Sequence, residues 1–393
     1  MVKGQTTSHS DLDAEHLTAR LRERAVAQLA DEDEVWAIVD PSDLRKPYAR
    51  EMGKLMRVRK LGGEGTVRGY RTLQVLGLGR GGRRGILYHR LFSSTAPDFQ
   101  SESSEIQTAL TTVGTALAGH QGRVSYLMDR QFDDEAVWST IWQQGNHLVC
   151  RLQHTERLVE RRTADGWTGG SIAEALSDLR ELAQVETEFL VQKRGQRAAK
   201  RQPVRATLRA CPLRVHYPRE IRDRRTSPRQ AQPVWLVQVQ LANVAAEPWL
   251  LLTDHPVATA AEAVRIFRMY RQRWAVEDAF KFTKDVLGWE DVQLLDVEAV
   301  RTLVALGWVA AGFLYELGVT LEWPEVRLLA RLGGWVPRKD RPPGKTIITR
   351  GLQRLLDHWA TDAILADEIA RYGSLPPRIV ALLGRPQPLD PKL

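Results

Sequence analysis

The chain has 393 residues, 43% hydrophobic and 26% charged, a length that holds two or three domains or one large domain with an insertion. A net charge of +8, carried mainly by arginine (45 Arg, 11 Lys), favours a polyanionic partner. Two cysteines, Cys150 and Cys211, argue against a disulfide framework or a cysteine-based zinc site and suit a reducing cytosol; the opening residues lack the apolar core of a signal peptide, and the longest uncharged apolar run, residues 302–315, is too short to span a bilayer.

Residues 1–10 are polar and expected to be loose. Residues 11–30 read as a helix with Leu17, Leu21, Ala25 and Leu29 on one side, and the acidic run 31–34 as a solvated turn. Residues 35–39 are a short apolar run suited to a buried strand, with Asp40 at its end, where a rigid element opens onto solvent. Taken alone, an aspartate after a strand is more often a turn former. Residues 40–60 carry Arg45, Lys46, Arg50, Lys54, Arg57, Arg59 and Lys60 against one glutamate, a loop able to follow a DNA backbone.

Strands at 70–78 and 86–93 flank a Gly/Arg turn, 79–85, which reads as a hairpin. No helix follows that turn, which excludes a P-loop or dinucleotide fingerprint. A helix at 102–118 precedes a second apolar run, 124–129, ending on Asp129. Another helix through 129–145 and a strand at 147–152 complete the order: three antiparallel strands, helix, strand, helix, strand. Beyond residue 153 a helix at 172–182 precedes strands at 187–192, 206–216, 234–241 and 249–254. Residues 193–229 hold thirteen Lys and Arg and two acids, a net +11 that exceeds the excess of the whole chain. Such a run is commonly a flexible solvated loop.

Residues 270–284, YRQRWAVEDAFKFTK, read as one helix in which Tyr270, Arg273, Glu277 and Lys284 form a polar stripe. Trp274, Val276, Ala279 and Phe280 lie between them and can face a core. Stripes of this kind are usually solvated ion-pair faces, but a carboxylate flanked by cations and a phenol also suits a site that holds a metal and grips phosphate. Gly288 ends the helix, 296–317 is a long apolar helix, and the segment past Tyr372 is rich in proline.

The spacing Tyr-x2-Arg-x3-Glu-x6-Lys over Tyr270, Arg273, Glu277 and Lys284 resembles the Y-R-E-K signature of the bacterial insertion-sequence DDE transposases of the insertion sequence 4 type. The resemblance extends to Asp-x-Ser-Asp-x-x-Lys-Pro-Tyr-Ala at 40–49, similar to the first-aspartate region, and to Asp-Arg-x-Phe-Asp at 129–133, similar to the second. Residues 328–359, with Leu-Gly-Gly-Trp, a basic linker and Arg-Gly-Leu, resemble the closing segment of that family, so the likeness covers roughly 35–360.

The resemblance implies an α/β chain: a ribonuclease H-like mixed sheet flanked by helices, in which the first and fourth strands bring Asp40 and Asp129 together. A β-rich insertion would interrupt it before the last catalytic helix. The domains expected are a helical segment 1–33, a core first part 34–152, a basic insertion 153–256, a core second part 257–320 and a helical tail 321–393. Asp40, Asp129 and Glu277 would be catalytic and would hold two Mg²⁺ or Mn²⁺ ions per site, carboxylates being hard oxygen ligands. Tyr270, Arg273, Lys284, Trp249, Arg45 and Lys46 would contact DNA, with Trp249 either stacking on a flipped base or serving as a core tryptophan. The expected partners are double-stranded transposon ends and target DNA, engaged by a homodimer in the cytoplasm at the nucleoid, without a membrane. The expected route runs from nicking through a hairpin intermediate to joining. Only 39 residues precede Asp40, fewer than relatives use to read their ends, which puts selective end recognition in question and keeps open a truncated, DNA-binding relic. A cellular nuclease on the same fold is the other alternative. Asp43 competes with Asp40 for the first position, and the strand-end placement favours Asp40.

Overall fold

The computed structural model describes residues 13–62, 64–191, 200–216, 231–242, 247–290, 294–336 and 343–374. Residues 1–10, the proline-rich end and much of the basic run 193–229 lie outside the described residues. The chain divides into two compact units, 1–316 and 317–393.

In the first unit, α1 (Ala14–Leu29) leads into β1 (Val35–Arg45), β2 (Met56–Arg59), β3 (Thr66–Gly79) and β4 (Arg84–Phe92). Then come α2 (Glu102–Ala116), β5 (Val124–Met128), α3 (Glu135–Gln143) and β6 (His147–Arg151). The helices start where polar side chains satisfy their open amides: Asp13, Ser101 and Asp134 each accept a backbone N–H at the first turn of α1, α2 and α3. The β3–β4 turn is closed by Gly82 at φ 89°, a conformation that glycine adopts freely.

β1 pairs antiparallel with β3 and parallel with β5, and β5 pairs parallel with β6. The core strand order β4-β3-β1-β5-β6 is the one expected of the ribonuclease H-like fold. The sheet does not stop at β6. After β7 (Leu158–Thr163), β8 (Gly166–Ser171), a four-residue α4 (Ile172–Ala175), β9 (Arg180–Val191), β10 (Lys200–His216) and β11 (Ala231–Leu241), the strand β12 (Trp249–Thr253) pairs with both β6 and β11. The result is one open, mostly antiparallel sheet running from β2 to β8 through β12, with helices on its faces.

Two hydrophobic clusters sandwich it. One joins Ile38, Leu127 and Val149 to α5 (Ala260–Arg271), α6 (Trp274–Asp285) and the inner face of α7 (Val297–Thr320), with Trp308 fully buried. The other joins Val39, Met128 and Cys150 to α2 and α3 through Trp138 and Phe132. Alternation along each strand sorts its residues between these faces.

Several expectations need correction. β1 does not end at residue 39 but continues to Arg45 against β3; only its pairing with β5 stops at Val39. Past that point β1 has an open edge, where the missing N–H of Pro41 is tolerated. The helix expected at 172–182 is one turn, capped by Ser171 and Glu174, and β9 begins at Arg180. Strand pairing to β10 outweighs helical periodicity there. Residues 270–284 are not one helix: the amides of Arg273, Ala275 and Val276 bond three residues back, a tightened turn separating α5 from α6. α7, expected at 296–317, spans 24 residues, and although the uncharged run 302–315 is too short to span a bilayer, the whole helix is by length and composition long and apolar enough to cross a membrane; Val300, Val304 and Trp308 on it are buried in the first cluster.

The second unit is a helical pair, α8 (Trp323–Leu332) and α9 (Lys345–Tyr372). Its glycines set the crossing distance: a Cβ on Gly351 would collide with the backbone carbonyl of Leu329, and one on Gly333 with that of Ile347. Gly351→Ala is therefore expected to destabilise this pair by roughly 1–3 kcal/mol, since backbone cannot yield as a flexible side chain does. Faster proteolysis between residues 321 and 374 than in the wild type, with the rest of the chain unchanged, would show it.

Candidate active site

The site forms where β1 and β5 part. Val39 and Met128 are partners in the parallel ladder, so Asp40 and Asp129 follow at neighbouring strand positions. Ile38 and Leu127 belong to the cluster beneath α5–α7, and by the two-residue period Asp40 and Asp129 face the same side. Asp129 also caps the short turn after β5, its Oδ1 accepting the amide of Gln131 at 2.9 Å.

The helical side supplies the third carboxylate. Arg273, in the tightened turn, donates from Nη1 to Asp40 Oδ1 at 3.0 Å and from Nη2 to Glu277 Oε1 at 2.5 Å. A single guanidinium thus joins the strand acid to the helix acid. Lys284, two turns on, donates to Ser42 Oγ at 2.8 Å and to the Asp43 carbonyl at 2.7 Å, holding the end of α6 to β1. Two residues of the expected stripe, Arg273 and Lys284, therefore meet β1, Glu277 is tied to it through Arg273, and Tyr270 lies in the aromatic cluster, 5.5 Å from the Trp249 ring.

Electrostatics follow from this crowding. Burial raises the Asp40 carboxyl to about 7, with Arg273 opposing and Asp129 and Glu277 adding to the rise. Burial works against the Arg273 charge, but the carboxylate of Asp40, then Tyr270, Glu277 and Asp129, outweighs it and raises its pKa. Tyr270 is pushed up to about 12 by burial and remains a neutral phenol. Among the described residues no three His, Cys, Asp or Glu side chains stand close enough to hold a metal ion as they lie. The donor types nonetheless suit a hard cation: Asp40, Asp129 and Glu277 all offer carboxylate oxygens, and Asp40, raised chiefly by burial and further by Asp129 and Glu277, is favoured as a carboxylate by positive charge nearby. Arg273 supplies it here.

Asp43, the competitor for the first position, is three residues along β1 and therefore points to the opposite face of the sheet. It ion-pairs with Arg71 at 3.6 Å and Arg45 at 4.0 Å. Arg45 is mostly buried, with Nε donating to the Arg59 carbonyl. Lys46 is buried, and its Nζ donates to the carbonyls of Trp289 and Glu290. Trp249 is only 7% exposed, packed among Phe189, Phe267 and Tyr270 with the Arg151 guanidinium 5.9 Å from its ring. Sequence reasoning did not single out Ser42, Arg71 or Arg151; an extended strand through Pro41 was the signal that would have placed Ser42 on the Asp40 face.

A family model described as the transposase DDE domain matches residues 98–311, more than half of the 393 residues. The chain belongs to the DDE transposase family. The transposase is thus an enzyme of the polynucleotidyl transferase and endonuclease kind, acting in DNA transposition and recombination and binding DNA at transposon ends. Members of this family generally use divalent metal ions. The match contains Asp129 and Glu277, and Asp40 lies before it.

Proposed function

We propose that this transposase is of the insertion sequence 4 type and cuts and joins transposon ends, with Asp40, Asp129 and Glu277 as its acidic triad. The observation that supports this reading best is the junction of β1, β5 and α6, where Arg273 bridges Asp40 and Glu277 beside Asp129. The three carboxylates would hold Mg²⁺ or Mn²⁺, two ions per site. Held there, such ions would supply Lewis acidity for a water or a 3′-OH and for the leaving oxygen in displacement at phosphorus. Arg273 is then released from its carboxylates and its planar fork turns to a DNA phosphate. Lys284 fixes α6 against β1 and adds positive charge beside the scissile strand. Arg45 steadies the basic 40–60 segment along the duplex, and Lys46 anchors that segment to residues 289–290. Tyr270 and Trp249 form the aromatic wall against which a flipped base would stack. Nicking by water frees a 3′-OH, which attacks the opposite strand, closes a hairpin and releases the flanking DNA with its own 3′-OH; a second water opens the hairpin and restores the 3′-OH, which then attacks a target phosphodiester and displaces a target 3′-OH. A homodimer holds the two ends together, acting in the cytoplasm at the nucleoid.

The test is incubation of linear DNA bearing the element's own ends with Mg²⁺ or Mn²⁺, wild type beside Glu277→Gln. Cutting at the end and joined products are expected for the wild type alone. Cutting that survives the substitution would overturn the triad. Tight binding with no cutting by either protein would show a DNA-binding relic.

A further inference from the structure

On the face of the sheet opposite Asp40, beneath the same stretch of β1, is a cavity of about 430 Å³. Its floor is apolar, formed by Leu73, Phe92, Ile106 and Phe132. Its wall carries Asp43 and Arg71. The Asp43 side chain is 9% exposed, and its Oδ1 is buried with no hydrogen-bond partner. Arg71 is oriented by its neighbours: Nη2 donates to Gln131 Oε1 at 3.1 Å and pairs with Glu102 at 2.7 Å. Its Nη1 stands 3.6 Å from Asp43 Oδ1, so an oriented donor and an unfilled acceptor sit side by side over an apolar floor.

We propose that this cavity takes an extrahelical nucleobase of the DNA substrate, and takes guanine best. The proposal rests on the transposase reading above but concerns a place the acidic triad does not use. Bases drawn out of a duplex are held by stacking on apolar and aromatic side chains and by hydrogen bonds to the Watson–Crick edge, which is the equipment present here. The volume lies within the range of small-ligand sites. Guanine alone offers two adjacent N–H donors, N1–H and N2–H, to a carboxylate, and its O6 accepts from a neighbouring guanidinium. A buried acceptor without a donor is costly, and the guanine amides relieve it. Asp40 and Asp43 lie three residues apart on one strand and face opposite sides. The proposal requires the bound DNA to pass the edge of the sheet near Asp43, and the sheet itself separates the cavity from the Trp249 cluster.

The experiment is fluorescence anisotropy of the full-length protein, in EDTA so that nothing is cut. The probes are duplexes with a single-nucleotide bulge of G, A, C or T and a fully paired control. The G bulge is expected to bind about tenfold tighter than the control and tighter than the other three bulges. Asp43→Asn should bring it down to the control while leaving paired-duplex affinity unchanged. Ser103→Trp, from the exposed first turn of α2 on the cavity rim, should do the same by filling the space without touching the floor. Paired-duplex binding with no G preference, or a preference that survives both substitutions, overturns the cavity and leaves the transposase reading intact. Loss of binding to every duplex by the wild type overturns both.

Discussion

Replacing Asp40 by asparagine is expected to lower cleavage of transposon ends by at least about 10³-fold while leaving DNA binding close to wild type. Asparagine keeps the shape and accepts from Arg273 at one oxygen, but it cannot balance a divalent cation. The same substitution changes stability in a pH-dependent way. The folded-state pKa of Asp40 is raised by burial to about 7 from an ordinary 3.8, so the folded protein holds a proton that the unfolded chain releases. Stability from this group is fully present below about 3.8, falls as pH rises, and is lost above about 7. In metal-free buffer the wild type should lose on the order of a few kcal/mol across that window, and Asp40→Asn should lose less. Urea unfolding at pH 5 and pH 8 for both proteins checks it. A slope equal in the two would mean that Asp40 is not the buried group that titrates.

Removing Arg273 is expected to have the second largest effect. Its guanidinium is 11% exposed and serves two acids at once, with its Nε lacking a hydrogen-bond partner. Taking one partner from a buried ionic cluster costs roughly 3–5 kcal/mol, because the remaining charge is left unbalanced. Arg273→Ala should therefore be destabilised most at pH 8, where Asp40 is otherwise ionised, and should recover much of that loss near pH 5, where Asp40 takes a proton. Thermal unfolding in EDTA at the two pH values reads this directly. A loss of the same size at both would make Arg273 a packing residue. Its activity should fall even with the stability restored, if, as proposed, its guanidinium also takes a DNA phosphate.

Much of the core was legible because strands buried on both faces leave continuous apolar runs. Residues 124–128 and 147–151 were legible as strands from their apolar centres, whereas the parallel pairing that puts Asp129 beside Asp40 was an implication of the family resemblance, with which the ladder agrees. The stripe of Arg273, Glu277 and Lys284 was visible as spacing, yet the break between α5 and α6 was not. Nothing in Gln272 or Trp274 breaks a helix; the tightening appears only where Arg273 reaches Asp40, a contact across 233 residues of sequence. β1 looked as if it ended at residue 39 because a proline and two aspartates follow. Its continuation depends on β3, whose partner residues 69–74 lie far along the chain. For the same reason Asp43 could not be assigned to the opposite face. The basic side chains Arg45 and Lys46 read as solvent-facing, whereas tertiary acceptors at Arg59, Trp289 and Glu290 draw them inward.

The double pairing of β12 bears on how this scaffold can be shortened. Because β12 is bound to β6 on one side and β11 on the other, residues 153–248 are not a detachable module. Excising them would leave β12 as a bare margin, with Trp249, Leu251 and Leu252 beside a row of unmet amides and carbonyls. Such a margin recruits other chains edge to edge. A miniaturised version would thus need a charged or proline-bearing replacement strand at that border to stay monodisperse.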